Sequence, residues 1–223
     1  MSLFKEMGLP APLVKALEKT GITEPTPIQA HAIPHALNGF DVMGLAQTGT
    51  GKTAAFGLPL VAQLMEHRGK PAPKTVRSLI LAPTRELAGQ IRDTLIGFVK
   101  DTPMKVGLVV GGSSIGAQIK RLEKGTDILV ATPGRLLDLL DRRALTLAET
   151  RFLVLDEADQ MLDLGFIHAL RKIAGLLPEE RQTMLFSATM AKQMDEIASS
   201  YLNKPKRVQV SPPGKTADKV TQA

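Results

Sequence analysis

Seven short apolar runs, separated by amphipathic stretches, restrict the fold of this chain more than any other feature: VMGLA (42–46), SLILA (78–82), KVGLVV (105–110), DILVA (127–131), FLVLD (152–156), TMLFS (183–187) and RVQV (207–210). Most lack the polar–apolar alternation of a strand with one wet face. Strands covered on both faces read this way, and they belong to parallel sheets packed between helices. Helix-period stretches fill the gaps, over 53–66, 84–98, 114–122, 134–141, 166–175 and 191–201. The alternation predicts an α/β fold, an open and mostly parallel sheet with right-handed crossovers and helices on both faces.

A helical preface precedes the first run. In PTPIQAHAIPHAL, Thr26 is placed to cap a helix that starts at Pro27. An earlier short helix is expected over 12–19, stopped by Gly21. EHRGKPAPKTVR (66–77) is rich in Pro, Gly and Lys and reads as a solvent loop. The closing stretch VSPPGKTADKVTQA is polar and aperiodic and reads as a linker or tail. The chain thus divides into a preface packed on the core (1–40), an α/β core (41–210) and a tail (211–223).

Composition narrows the function. The 223 residues include no cysteine, which excludes disulfides and thiolate metal sites and suits a cytoplasmic protein. No apolar run approaches membrane-spanning length, and MSLFKEMGLP lacks the order of a secretory signal. A net charge of +6 and a pI near 9.6 favour a polyanionic partner, although a basic surface kept for solubility reads equally well from charge alone. His31, His35, His67 and His168 show no metal-ligand spacing.

The segment AQTGTGKT (46–53) stands between an apolar run and a helix-period stretch, and its residues are poor helix formers. At the carboxyl end of a parallel strand, a glycine loop lets backbone N–H groups converge on an anion, and the following helix N-terminus adds positive potential. Thr48, Gly49, Thr50, Gly51, Lys52 and Thr53 form the candidate cradle for a nucleotide's phosphates. Lys52 can reach the β and γ phosphates, and the Thr53 hydroxyl can ligate Mg²⁺. Ala46 departs from the general pattern, which begins with glycine.

A second element is needed to hold Mg²⁺ and aim water. FLVLDEAD supplies it: Asp156 ends an apolar run and can hold Mg²⁺ directly or through water, Glu157 is placed to orient or deprotonate a water, and Asp159 opens the next helix. Taken alone, the same acids read as a solvated cap on that helix.

Asp156, Glu157, Ala158 and Asp159 spell DEAD. With the glycine loop before it and SAT (187–189) after it, the chain resembles the N-terminal RecA-like domain, a P-loop NTPase fold, of a bacterial-type DEAD-box ATP-dependent RNA helicase. The ordered motifs run from near residue 4 to residue 189.

That resemblance implies further roles. GITEPTPIQ (21–29) is similar to the family's Q motif, so Gln29 would read the adenine edge and Phe4 would stack near the base. PTRELA (83–88) would meet the RNA backbone through Pro83, Thr84 and Arg85, with Glu86 steadying the loop. Gly111 and Gly112 would admit the RNA backbone closely, and TPGR would add Thr132, Gly134 and Arg135. On local grounds Thr132 with Pro133 reads equally as a helix cap. Ser187 and Thr189 would couple the nucleotide site to unwinding by hydrogen bonds to Asp159, and Ser187 alone reads also as a cap. Gln160 has no physical reading from sequence.

The implied cofactors are ATP and Mg²⁺, and the implied partners are RNA, bound without sequence preference, and a second RecA-like domain of the same protein. That domain would carry the arginines completing the ATP site, so this chain is expected to bind nucleotide with little hydrolysis of its own. Two other classes compete: a P-loop DNA translocase, and a non-catalytic nucleotide switch that binds RNA or protein.

Overall fold

The computed structural model describes residues 2–210. All seven apolar runs form strands: β1 (Val42–Leu45), β2 (Val76–Leu81), β3 (Val106–Val109), β4 (Thr126–Ala131), β5 (Phe152–Leu155), β6 (Gln182–Ser187) and β7 (Lys206–Gln209). They make one sheet in the order β3-β4-β2-β5-β6-β1-β7, and every pairing is parallel.

The helices are α1 (Leu3–Glu6), α2 (Ala11–Lys19), α3 (Pro27–Leu37), α4 (Lys52–Glu66), α5 (Arg85–Val99), α6 (Ile115–Leu122), α7 (Pro133–Asp141), α8 (Ala158–Asp163), α9 (Ile167–Leu176) and α10 (Lys192–Tyr201). The α1 turn around Phe4 is too short to leave a periodic signature in sequence.

Successive strand residues face opposite helical layers. Ile128, Val130, Val154, Met184 and Phe186 pack with α1 to α5, whereas Leu129, Ala131, Leu153, Leu155 and Leu185 pack with α6 to α10. Through the centre of the sheet both faces are dry, which is why most runs are apolar; in the edge strand β7 only Val208 is buried, and its run keeps polar residues. The preface helices contribute Phe4, Leu13, Leu17, Ile28 and Ile33 to the same core as α4 and α5. Gln182 Nε2 reinforces this by donating to the carbonyls of Ala36 (2.7 Å) and Phe40 (2.8 Å).

One expectation is adjusted. The loop predicted over 66–77 is shorter, because Val76 and Arg77 already belong to β2. The Arg77 side chain is only 16% exposed and pairs with Asp127 at 3.0 Å, so a charge that suggested solvent is a structural tie. The predicted tail over 211–223 lies outside the described residues. No helix among the described residues is long and apolar enough to cross a membrane.

Candidate functional site

The turn from β1 into α4 carries the glycine loop. Gly51, immediately before α4, is left-handed at φ 83°, and a Cβ there would stand 2.6 Å from Gln29 Nε2 and 2.9 Å from Thr26 Oγ1. Only glycine fits both the dihedral and the space. The loop is held from behind: Gln29 Nε2 donates to the Gly51 carbonyl at 3.1 Å, and Gln29 Oε1 accepts from the Thr26 N–H at 3.0 Å. Gln29 is 4% exposed, and each of its amide atoms already has a backbone partner. One N–H and one lone pair remain for a ligand. Phe4, expected to offer a stacking face to a base, is instead a core residue at 1% exposure, because α1 folds it against the preface helices.

Lys52 Nζ lies 3.1 Å from Asp156 Oδ1, with the two side chains 8% and 1% exposed. Burial pushes the Asp156 carboxyl above its ordinary pKa, against the neighbouring Lys52 ammonium that pulls it down. Asp156 Oδ2 is buried with no hydrogen-bond partner. A buried carboxylate oxygen without a donor is a ligand that fits a hard divalent cation.

Glu157 adopts a left-handed conformation, φ 50°, uncommon for a residue with a side chain. Its Oε1 accepts from Thr48 Oγ1 at 3.1 Å, which ties the glycine loop to the acidic turn. Sequence reasoning placed Thr48 only in the phosphate cradle; this second role is visible only once β1 and β5 are placed in the sheet. Thr48, Lys52, Glu157 and Asp159 line a cavity of about 270 Å³ beyond the strand ends. Gln160, which the sequence left without a reading, lines it too.

The SAT segment is half as expected. Thr189 Oγ1 donates to Asp159 Oδ2 at 3.2 Å. Ser187 does not reach Asp159: its Oγ donates to the Thr189 carbonyl at 2.7 Å and accepts from the Thr189 N–H at 3.4 Å. Ser187 ends β6 and shapes the turn, while Thr189 makes the bond to α8. Ser187 does not cap α10 either, whose N-cap is Ala191.

The remaining residues singled out in the sequence gather at the ends of β2, β3 and β4. Pro83 is buried, and Thr84 caps α5 by accepting from the Leu87 N–H at 3.2 Å. Arg85 is exposed and sits 3.5 Å from Glu86, a surface pair worth little. Gly112 (φ 78°) makes room for Arg85, since a Cβ would stand 2.5 Å from Arg85 Nη1. Gly111 is exposed with open space around it. Thr132 stands at the N-cap of α7 but its hydroxyl makes no cap bond. Gly134 is exposed and lies over Phe166, 3.5 Å from a Cβ built there.

Arg135 points back into the protein. Its Nη1 donates to the Ser113 carbonyl and to Gln118 Oε1, both at 3.0 Å. Gln118, 4% exposed, also donates from Nε2 to the Val110 carbonyl at 3.0 Å. Sequence reasoning missed Gln118; a glutamine on the buried stripe of α6 is the only signal that could have raised it.

Strand order sorts these residues into two groups. β5, β6 and β1 are neighbours, and their carboxyl ends carry the DEAD turn, SAT and the glycine loop. β3, β4 and β2 are neighbours, and theirs carry Gly111–Gly112, TPGR and PTRE. One half of the strand-end edge holds the buried lysine and the acids, and the other holds exposed backbone with two arginines.

The family model for DEAD/DEAH box helicases matches residues 26–197. The chain is 46% identical over 219 residues to the DEAD-box ATP-dependent RNA helicase CshA of Streptococcus pneumoniae serotype 4 strain TIGR4, and equally to that of strain R6. The match covers 98% of this chain and 41% of each relative, so the chain spans about two fifths of their length. With its RecA-like sheet and the match over most of its length, the chain belongs to the DEAD/DEAH box helicase family.

Proposed function

We propose that this chain is the ATP-binding, RNA-contacting N-terminal part of an ATP-dependent RNA helicase. The observation that carries this reading is the division of the strand-end edge, with a lysine–carboxylate site on β5, β6 and β1 beside an exposed backbone surface on β3, β4 and β2.

In this reading the residues from Thr48 to Thr53 wrap the phosphates, with backbone N–H groups and Lys52 supplying positive charge. Thr53 and Asp156 would hold Mg²⁺, which supplies neutralisation of phosphate charge when bound. Glu157, fixed on one oxygen by Thr48, keeps its other oxygen free to accept a proton from water. Gln29 holds Gly51 in place and has one donor and one acceptor left for the adenine edge. Thr189 relays the state of Asp159 to the β6 turn. RNA lies over Thr84, Arg85, Gly111, Gly112 and Gly134, met mainly through its backbone and therefore with little sequence preference. Lys52 is the only cation lining the cavity among the described residues. A second RecA-like domain supplying arginine from the far side would complete the site, and the chain alone would turn over slowly.

The test is nucleotide binding, RNA binding and ATP turnover by this chain. Micromolar-range ADP binding, weak RNA binding and negligible turnover with or without single-stranded RNA are expected. Strong RNA-stimulated turnover would show that these residues form a complete site by themselves. A preference for DNA over RNA of equal sequence would point to a translocase instead.

A further inference from the structure

A cavity of about 1000 Å³ lies away from the proposed nucleotide site. It opens beside the amino ends of β2 and β4, at the opposite end of the sheet from the glycine loop. Its apolar walls include Pro10, Leu64, Met65, Pro103 and Met104. Its rim carries Arg68, Lys70, Lys105 and Lys124, all exposed and none in an ion pair among the described residues. The lining holds only two carboxylates: Asp127, paired with Arg77 at 3.0 Å, and Asp101, exposed at the rim and 3.6 Å from the exposed Lys19.

The floor of this groove is built. Arg77 donates to Asp127 Oδ1 (3.0 Å), to the Gly69 carbonyl (3.3 Å), to the Leu64 carbonyl (3.4 Å) and to the His67 carbonyl. Asp127 Oδ2 accepts from the Lys105 N–H at 2.9 Å. One buried arginine–aspartate pair thereby fastens the end of α4, the following loop and the start of β3 around the groove. None of the helicase-like motifs in the sequence includes Arg77 or Asp127.

We propose that this groove is a docking site for an acidic protein segment with apolar anchor residues. Four unpaired cations around an apolar trough complement a chain in which carboxylates alternate with leucine- or methionine-like side chains. RNA is the poorer fit. The lining contains no aromatic side chain on which a base could stack, and its walls are methionine, leucine and proline. A segment seated here would leave the strand-end loops free, so it could hold the protein to an assembly while ATP and RNA bind.

The experiment is amide chemical-shift mapping on the 223-residue chain with four probes: a peptide of repeated Glu-Asp-Leu, one of repeated Lys-Arg-Leu, one of repeated Glu-Asp-Gly, and a ten-nucleotide uridine RNA. The acidic leucine peptide is expected to shift residues around Met65, Lys70, Met104 and Lys124 selectively. Its affinity should fall about tenfold in the Lys70→Glu, Lys124→Glu double variant, and fall with rising salt. ADP affinity should be unchanged in that variant, which also reports that it is folded. Equal response to the glycine peptide would overturn the apolar part of the proposal. Groove shifts caused by RNA, or none with the acidic leucine peptide at millimolar concentration, would overturn it altogether, without bearing on nucleotide binding at the other end of the sheet.

Discussion

Lys52 is held by Asp156 at 3.1 Å in a pair almost closed to solvent, so the cation proposed to meet the phosphates and the acid proposed to take Mg²⁺ are each other's partners. Nucleotide and metal would separate the two, each replacing the other's partner. In Asp156→Asn the lysine is freed and a negative charge near the phosphates is removed. ATP affinity in EDTA is expected to rise, by roughly threefold to tenfold, while the gain on adding Mg²⁺ shrinks. Titration calorimetry with and without Mg²⁺ measures both. An unchanged or lower affinity in EDTA would mean the pair does not restrain Lys52.

Gln29 joins the preface to the glycine loop through the Thr26 N–H and the Gly51 carbonyl. Gln29→Ala removes both bonds and should cost about 1–3 kcal/mol, a drop of several degrees in melting temperature. Gln29→Glu keeps the acceptor for Thr26 but turns a carboxylate oxygen toward the Gly51 carbonyl in a buried site, so it should cost at least as much stability as the alanine variant and lose nucleotide affinity like it. Thermal melts with ADP titrations measure both losses; a glutamate variant clearly more stable than the alanine one would place the stabilising bond at Thr26 rather than Gly51.

These two relationships show what the sequence carried and what it did not. Strand positions were legible because most side chains of the central strands β2, β4, β5 and β6 meet a helix layer, so burial is written as apolar runs. The glycine loop was legible because left-handed turns leave few residue choices, as at Gly49 and Gly51. Strand order was not, since nothing local to FLVLD or TMLFS says that β6 lies between β5 and β1. The Thr48–Glu157 bond, the core position of Phe4 and the Gln118 tether all depend on that order or on packing between distant elements. Ser187 was misassigned for a smaller reason: its hydroxyl finds the Thr189 backbone two residues away, a local bond that competes with any longer reach.

Among the described residues, Thr189 and Asp159 form the one side-chain hydrogen bond between the β6 turn and α8. Thr189→Ala and Asp159→Ala should each loosen α8, and the double variant should be no worse than the more affected single one, with a coupling of about 0.5–1 kcal/mol. Ser187→Ala should disturb the turn without that coupling. Hydrogen exchange of α8 amides measures these differences. Strictly additive effects for the Thr189 and Asp159 changes would remove the bond from any relay between the nucleotide site and the rest of the domain.

Gln118 gives the sharpest test of the surface formed by β3, β4 and β2. It fixes Arg135 with one amide atom and the Val110 carbonyl with the other, directly behind the exposed Gly111–Gly112 turn. Gln118→Leu keeps the apolar bulk on α6 but leaves the Val110 carbonyl and the Arg135 guanidinium without this partner. The turn should lose its fixed position, and affinity for a ten-nucleotide uridine RNA should fall about tenfold, the equivalent of ~1.4 kcal/mol. ADP affinity should not change, because the residues proposed to hold nucleotide belong to the other half of the edge. Gln118→Glu retains an acceptor for Arg135 and should recover part of the RNA affinity. Fluorescence anisotropy at two salt concentrations makes the comparison. Loss of ADP and RNA binding together would indicate a general folding defect, and intact RNA binding in the leucine variant would show that Arg135 and the glycine turn need no such support.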